Sequence, residues 1–96
     1  MRSRNSALSF VARPTMKGAM QDLEEAMRFD PEAGLANLDE HLERLSQAAA
    51  SQGFKFDRHA ARNELQAATF GKRHRAIARL LLSPTGAMAI EVRPAD

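Results

Sequence analysis

The chain contains no cysteine, which excludes disulfides, thiolate catalysis and Cys-ligated zinc. It also lacks tyrosine, so nothing titrates between His and Lys. A net charge of only +2 is therefore enough to carry the pI to about 9.7. No apolar run approaches the roughly 18–20 residues that a membrane span needs. Ala7 to Ala12, behind the basic Met1-Arg2-Ser3-Arg4, is too short and mixed for a secretory signal. A cytoplasmic protein with no membrane partner is the expectation. The five glycines are scattered over helix ends and turns, and no P-loop, dinucleotide fingerprint or nucleophile elbow is present. His41, His59 and His74 fall in no metal-binding spacing, and His41 beside Glu40 reads as a solvated side chain. No catalytic residue, metal site or cofactor is expected, and the chain does not read as an enzyme.

What is present is the composition of a folded protein. The chain is 44% apolar and 27% charged, too apolar and too balanced in charge to stay disordered. Ninety-six residues make one domain, 1–96, with a modest core and a basic arm at residues 1–5. Arginine outnumbers lysine eleven to three, a usage that suits a GC-rich bacterial genome. The charges are segregated. Residues 22–43 carry eight acids against Arg28 alone, whereas residues 55–79 carry seven bases against Asp57 and Glu64.

Local signals divide the chain into elements. Asn5 to Arg13 alternates as a short strand would. From Thr15 onward Met16, Met20, Leu23 and Met27 fall at 4-3-4 spacing, the stripe of a helix. Asp30-Pro31-Glu32 matches a helix start, with Asp30 as N-cap and Pro31 at N1. The helix it opens, 31–52, places Leu35, Leu38, Leu42, Leu45 and Ala49 on one side and Glu40 above Arg44. Gly53 and Phe54 are its expected C-terminal stop. Asp57 caps a third helix with Ala61, Leu65 and Ala68 inward. Thr69-Phe70-Gly71 reads as a turn, and Lys72 to Leu82 as a fourth helix with Ile77, Leu80 and Leu81 together. Ser83-Pro84-Thr85-Gly86 has the residues of a type I turn, and Ala87 to Arg93 alternates again as a strand. These elements predict a mostly α, small four-helix domain, with a two-stranded β-ribbon formed by the N- and C-terminal segments.

The functional expectation follows from the third and fourth helices. Residues 65–82 resemble a helix-turn-helix whose second helix turns Lys72, Arg73, His74, Arg75 and Arg79 outward. Lys72, Arg75 and Arg79 fall at i, i+3 and i+7, and cations so placed neutralise phosphates. Arg2 and Arg4 extend the surface as an N-terminal arm. The expected function is that of a non-catalytic regulatory protein that contacts nucleic acid through this basic helix. The alternative is a protein-binding adaptor or inhibitor acting through the acidic helix 31–52, whose narrow apolar seam also suits a partner helix or a homodimer.

Asp30-Pro31-Glu32, the leucines after it and Ala50-Ser51-Gln52-Gly53-Phe54-Lys55-Phe56 resemble the leader-peptide domain related to nitrile hydratase. The resemblance spans about residues 23–65. It implies a helical domain that docks a modifying enzyme ahead of a core peptide, although no double-glycine cleavage site or Cys-bearing core follows here.

Overall fold

The computed structural model of the chain describes residues 21–95. Two helices pack on one face of a four-stranded antiparallel sheet of order β2-β1-β3-β4. The strands are β1 (Leu23–Asp30), β2 (Gly34–Leu35), β3 (Ala76–Leu82) and β4 (Met88–Pro94), and the helices are α1 (Leu38–Gln52) and α2 (Arg58–Thr69). This α+β sandwich replaces the expected four-helix, mostly α bundle. α1 lies over β1, and α2 over β3 and β4.

Two segments expected to be helical are strands, for the same reason. In β3, Ala76, Ala78, Leu80 and Leu82 are buried while Ile77, Arg79 and Leu81 are only half-buried. This is strict alternation, written with residues that favour helices. A short apolar run satisfies either period, and pairing on both sides decides for the strand. β3 runs antiparallel to β1, with Met27 opposite Ala78, and to β4, with Leu80 opposite Ile90. In β1, Leu23, Glu25, Met27 and Phe29 face the helices. The 4-3-4 methionine stripe began among residues 1–20, outside the described residues, and its described part is strand. The expected strand Asn5 to Arg13 also lies outside the described residues. Among the described residues its expected partner, β4, pairs with β3 through the turn at Ser83–Gly86, where the Gly86 N–H donates to the Ser83 carbonyl at 3.0 Å.

The third correction concerns Asp30-Pro31-Glu32. Asp30 Oδ1 accepts from the N–H groups of Glu32 at 2.8 Å and Ala33 at 3.2 Å. That is the bonding an N-cap makes, spent on the turn between β1 and β2, because an aspartate oxygen serves a turn and a helix start alike. α1 starts seven residues later than the expected Pro31, behind Asn37, which has φ 54° and makes no side-chain cap bond. Its end is as expected. Gly53 at φ 75° turns the chain, and the Phe54 N–H returns to the Ala49 carbonyl at 2.8 Å. Asp57 caps α2 through the Ala60 N–H at 3.0 Å. The core closes on Met27, Leu42, Leu45, Phe54, Leu65, Leu80 and Leu82. Among the described residues no helix is long and apolar enough to cross a membrane.

Candidate functional site

Glu25 is a carboxylate at an inward position of β1, in line with Leu23, Met27 and Phe29. A charge on that face requires partners, because burial without them costs several kcal/mol. α1 supplies them from two positions three residues apart on one side of the helix. His41 Nδ1 lies 2.6 Å from Glu25 Oε1, and Arg44 Nε lies 3.4 Å from Oε2. The side chains of Glu25 and His41 are each only 16% exposed, whereas that of Arg44 is 62% exposed.

An ionised carboxylate only accepts, so the short contact requires the proton to sit on His41 Nδ1. Arg44 Nη2, 3.3 Å from the same nitrogen, then finds no lone pair there and is free to bond elsewhere. Nε2 is left as the second working nitrogen of the imidazole. The result is a carboxylate-oriented histidine beside a tethered, outward-facing guanidinium. An imidazole so held can take or give a proton, and a guanidinium with free Nη groups is suited to a carboxylate or another oxyanion.

This cluster corrects two expectations. His41 is not a solvated helix-flank side chain, and Arg44 bonds to Glu25 of the sheet rather than to Glu40. Its sequence signal is Glu25 itself, a lone charge at an inward period-two position. That signal is invisible while residues 16–27 are read as helix.

The expected nucleic-acid-binding residues are dispersed. Lys72, Arg73, His74 and Arg75 form the exposed connection between α2 and β3. Arg75 Nε lies 3.5 Å from Asp30 Oδ2. Arg79 is in the middle of β3, on the sheet face away from the helices, 3.3 Å from Glu24 and 2.9 Å from Glu91. Its Nε is buried without a partner. The helical i, i+3, i+7 stripe does not exist, and neither does the second helix of a helix-turn-helix. Arg2 and Arg4 lie outside the described residues. The segregated charges instead meet one another, since Arg58 bonds to Glu43 and Arg62 to Asp39, joining α2 to α1.

No protein-family model and no curated protein matches the chain. A solved structure does. The chain is 32% identical, with a TM-score of 0.72, to a Mesorhizobium loti protein assigned as an amino-acid aminotransferase. The match covers 78% of this chain and 36% of that one. The chain thus spans about a third of the length of the protein it resembles.

Proposed function

We propose that this chain is an accessory domain of an amino-group-transferring protein, one that uses Arg44, positioned by Glu25 and His41, to hold the anionic end of an amino acid or 2-oxo acid. The observation that carries this reading is the 32% identity to a protein assigned as an amino-acid aminotransferase. The site chemistry supports it. Amino acids and 2-oxo acids share a carboxylate, the group that a guanidinium engages through two parallel hydrogen bonds. Arg44 is tethered through Nε and 62% exposed, which leaves its two Nη groups for such a ligand.

Amino-group transfer relies on an electron-sink cofactor such as pyridoxal phosphate, held as a Schiff base on a lysine. The described lysines do not fit that role. Lys55 and Lys72 are both exposed on connections between elements, and neither makes a hydrogen bond or ion pair with the Glu25–His41–Arg44 cluster. The role proposed for the described residues is therefore a contribution to substrate binding.

Side-chain NMR of the isotope-labelled chain, titrated with a dicarboxylic 2-oxo acid, tests the reading. The His41 ring and Arg44 Nε resonances should shift saturably with a dissociation constant on the order of 1 mM. The Arg44→Met variant should lose the response. A response that persists in Arg44→Met, or the absence of any in the parent chain, would refute it.

A further inference from the structure

At the end of β1 remote from Glu25, an open cleft of about 520 Å³ runs between the β1–β2 turn and the C-terminal end of α2. Phe29, Leu35 and Leu38 contribute its apolar lining. One lip is the turn after Asp30, with the exposed Glu32. The other is the Phe70-Gly71-Lys72 turn, continued by Arg73.

Phe70 makes this cleft unusual. The residue is 89% exposed, and among the described residues it stands alone as an exposed large hydrophobic. The backbone holds it there. The Phe70 N–H bonds to the Ala67 carbonyl, and Gly71 at φ 77° reverses the chain immediately after it. The preceding residue, Thr69, is buried and donates its hydroxyl to the Leu65 carbonyl at 2.9 Å. An aromatic ring offers one of the largest hydrophobic surfaces a single residue can bury.

The charges select the occupant. Lys72 and Arg73 stand on the lip with Phe70, and Glu32 stands on the opposite lip; none of the three makes an ion pair among the described residues. Asp30 and Arg75 do pair, at 3.5 Å, so the acidic and basic segments come within ion-pair reach of each other. A polyanion would be attracted by one lip and repelled by the other. The fitting partner carries an exposed apolar anchor, with acid to face Lys72 and base to face Glu32. That description is met by the same surface on another molecule.

We infer that this cleft docks a second copy of the chain, about a twofold axis running along its length. Such an axis lays each basic lip over the partner's acidic lip and carries each Phe70 ring over the other cleft. The contact is isologous and therefore closes at two copies. Its extent is that of one cleft and two turns, which places it among small, weak, concentration-dependent interfaces. The inference is independent of the proposed substrate site and is read by a different measurement.

Sedimentation equilibrium of the full chain at low salt, from about 10 µM to about 1 mM, tests it in the range expected of small interfaces. A monomer–dimer equilibrium is expected. Phe70→Ser should weaken it at least about tenfold, as loss of a central aromatic does. Glu32→Lys and Lys72→Glu should each weaken it several-fold. Glu32→Lys combined with Lys72→Glu should return it to within about threefold of the parent, because the exchanged charges face one another again across the dyad. Circular dichroism of each variant establishes that the fold is retained. The inference is overturned by a parent chain that stays monomeric throughout, by dimerisation that is indifferent to Phe70→Ser, or by a double exchange no tighter than either single one.

Discussion

Leu80→Ala and Leu81→Ala should differ by about 3 kcal/mol, because neighbours in a strand face opposite sides of the sheet. Leu80 is wholly buried, points into the helix layer and sits opposite Ile90 of β4 and Glu25 of β1. Its neighbours cannot collapse into the space left behind, because β3 is hydrogen-bonded to a strand on either side. The expected loss is therefore in the upper half of the Leu→Ala range, about 4 kcal/mol. Leu81 lies on the face away from the helices and is half-buried. Truncating it removes part of one side chain's burial and leaves no closed cavity, about 1 kcal/mol. A domain of this size holds roughly 5–15 kcal/mol in all, so the first change takes a large share of it. Urea unfolding reads the difference directly. With a slope near 1 kcal/mol/M, Leu80→Ala should lower the midpoint by about 4 M and Leu81→Ala by about 1 M. On a helix the two residues would share one side and cost similar amounts. Losses equal within about 0.5 kcal/mol would refute the strand and, with it, the account of why β3 forms.

Other outcomes follow from the same structure. Leu42→Ala, at a fully buried position of α1, should cost roughly 2–5 kcal/mol in the same assay. Asp57→Ala removes the α2 cap and should cost about 1 kcal/mol. Gly86→Ala should cost roughly 1–3 kcal/mol by thermal unfolding, since φ is +98° and the new Cβ would stand 3.2 Å from Lys55 Cβ. The Asp30 carboxyl is held below the ordinary aspartate range, chiefly by the N–H groups of Glu32 and Ala33 and further by Arg75. Glu43 is likewise lowered by its bonds from Arg58 and Gln47. Lowered folded values mean stabilisation that is complete above the ordinary carboxylate range and lost as pH falls through the folded values, so stability should decline below about pH 4. Asp30→Asn keeps an acceptor for the turn and should flatten that decline, as measured by urea midpoints across the acid range.

The charged residues show how a surface can be legible in composition and misplaced in space. Arg75 and Arg79 were expected side by side on a helix. Four residues along an extended chain separate them by about 13 Å, and each is occupied by carboxylates from other strands. Arg44, on the acidic helix, is instead tethered to a largely buried carboxylate that is also in contact with His41. Its environment depends on Glu25, sixteen residues from His41 in sequence and 2.6 Å from it in the fold.

Features closed by bonds within a few residues were determined by the sequence itself. The αL stop at Gly53 with Phe54 folding back, the Asp57 cap, the turns at Phe70-Gly71 and Ser83–Gly86, and the alternation of β4 each depend on neighbours, and each stands where the residues indicate. The seam Leu42, Leu45, Ala49 is buried as its spacing requires. Asp30-Pro31-Glu32 marks the limit of such signals, because one side-chain oxygen bonding to N–H groups two and three residues ahead completes a turn as well as a helix. β1 and β3 were decided by tertiary structure. They pair with each other across some fifty residues of sequence, and their Ala, Leu, Met and Glu residues favour helix until a neighbouring strand takes up the backbone groups. The Glu25–His41–Arg44 cluster shares that dependence. Only with β1 extended does Glu25 turn inward to meet α1, so the site comes into being with the sheet.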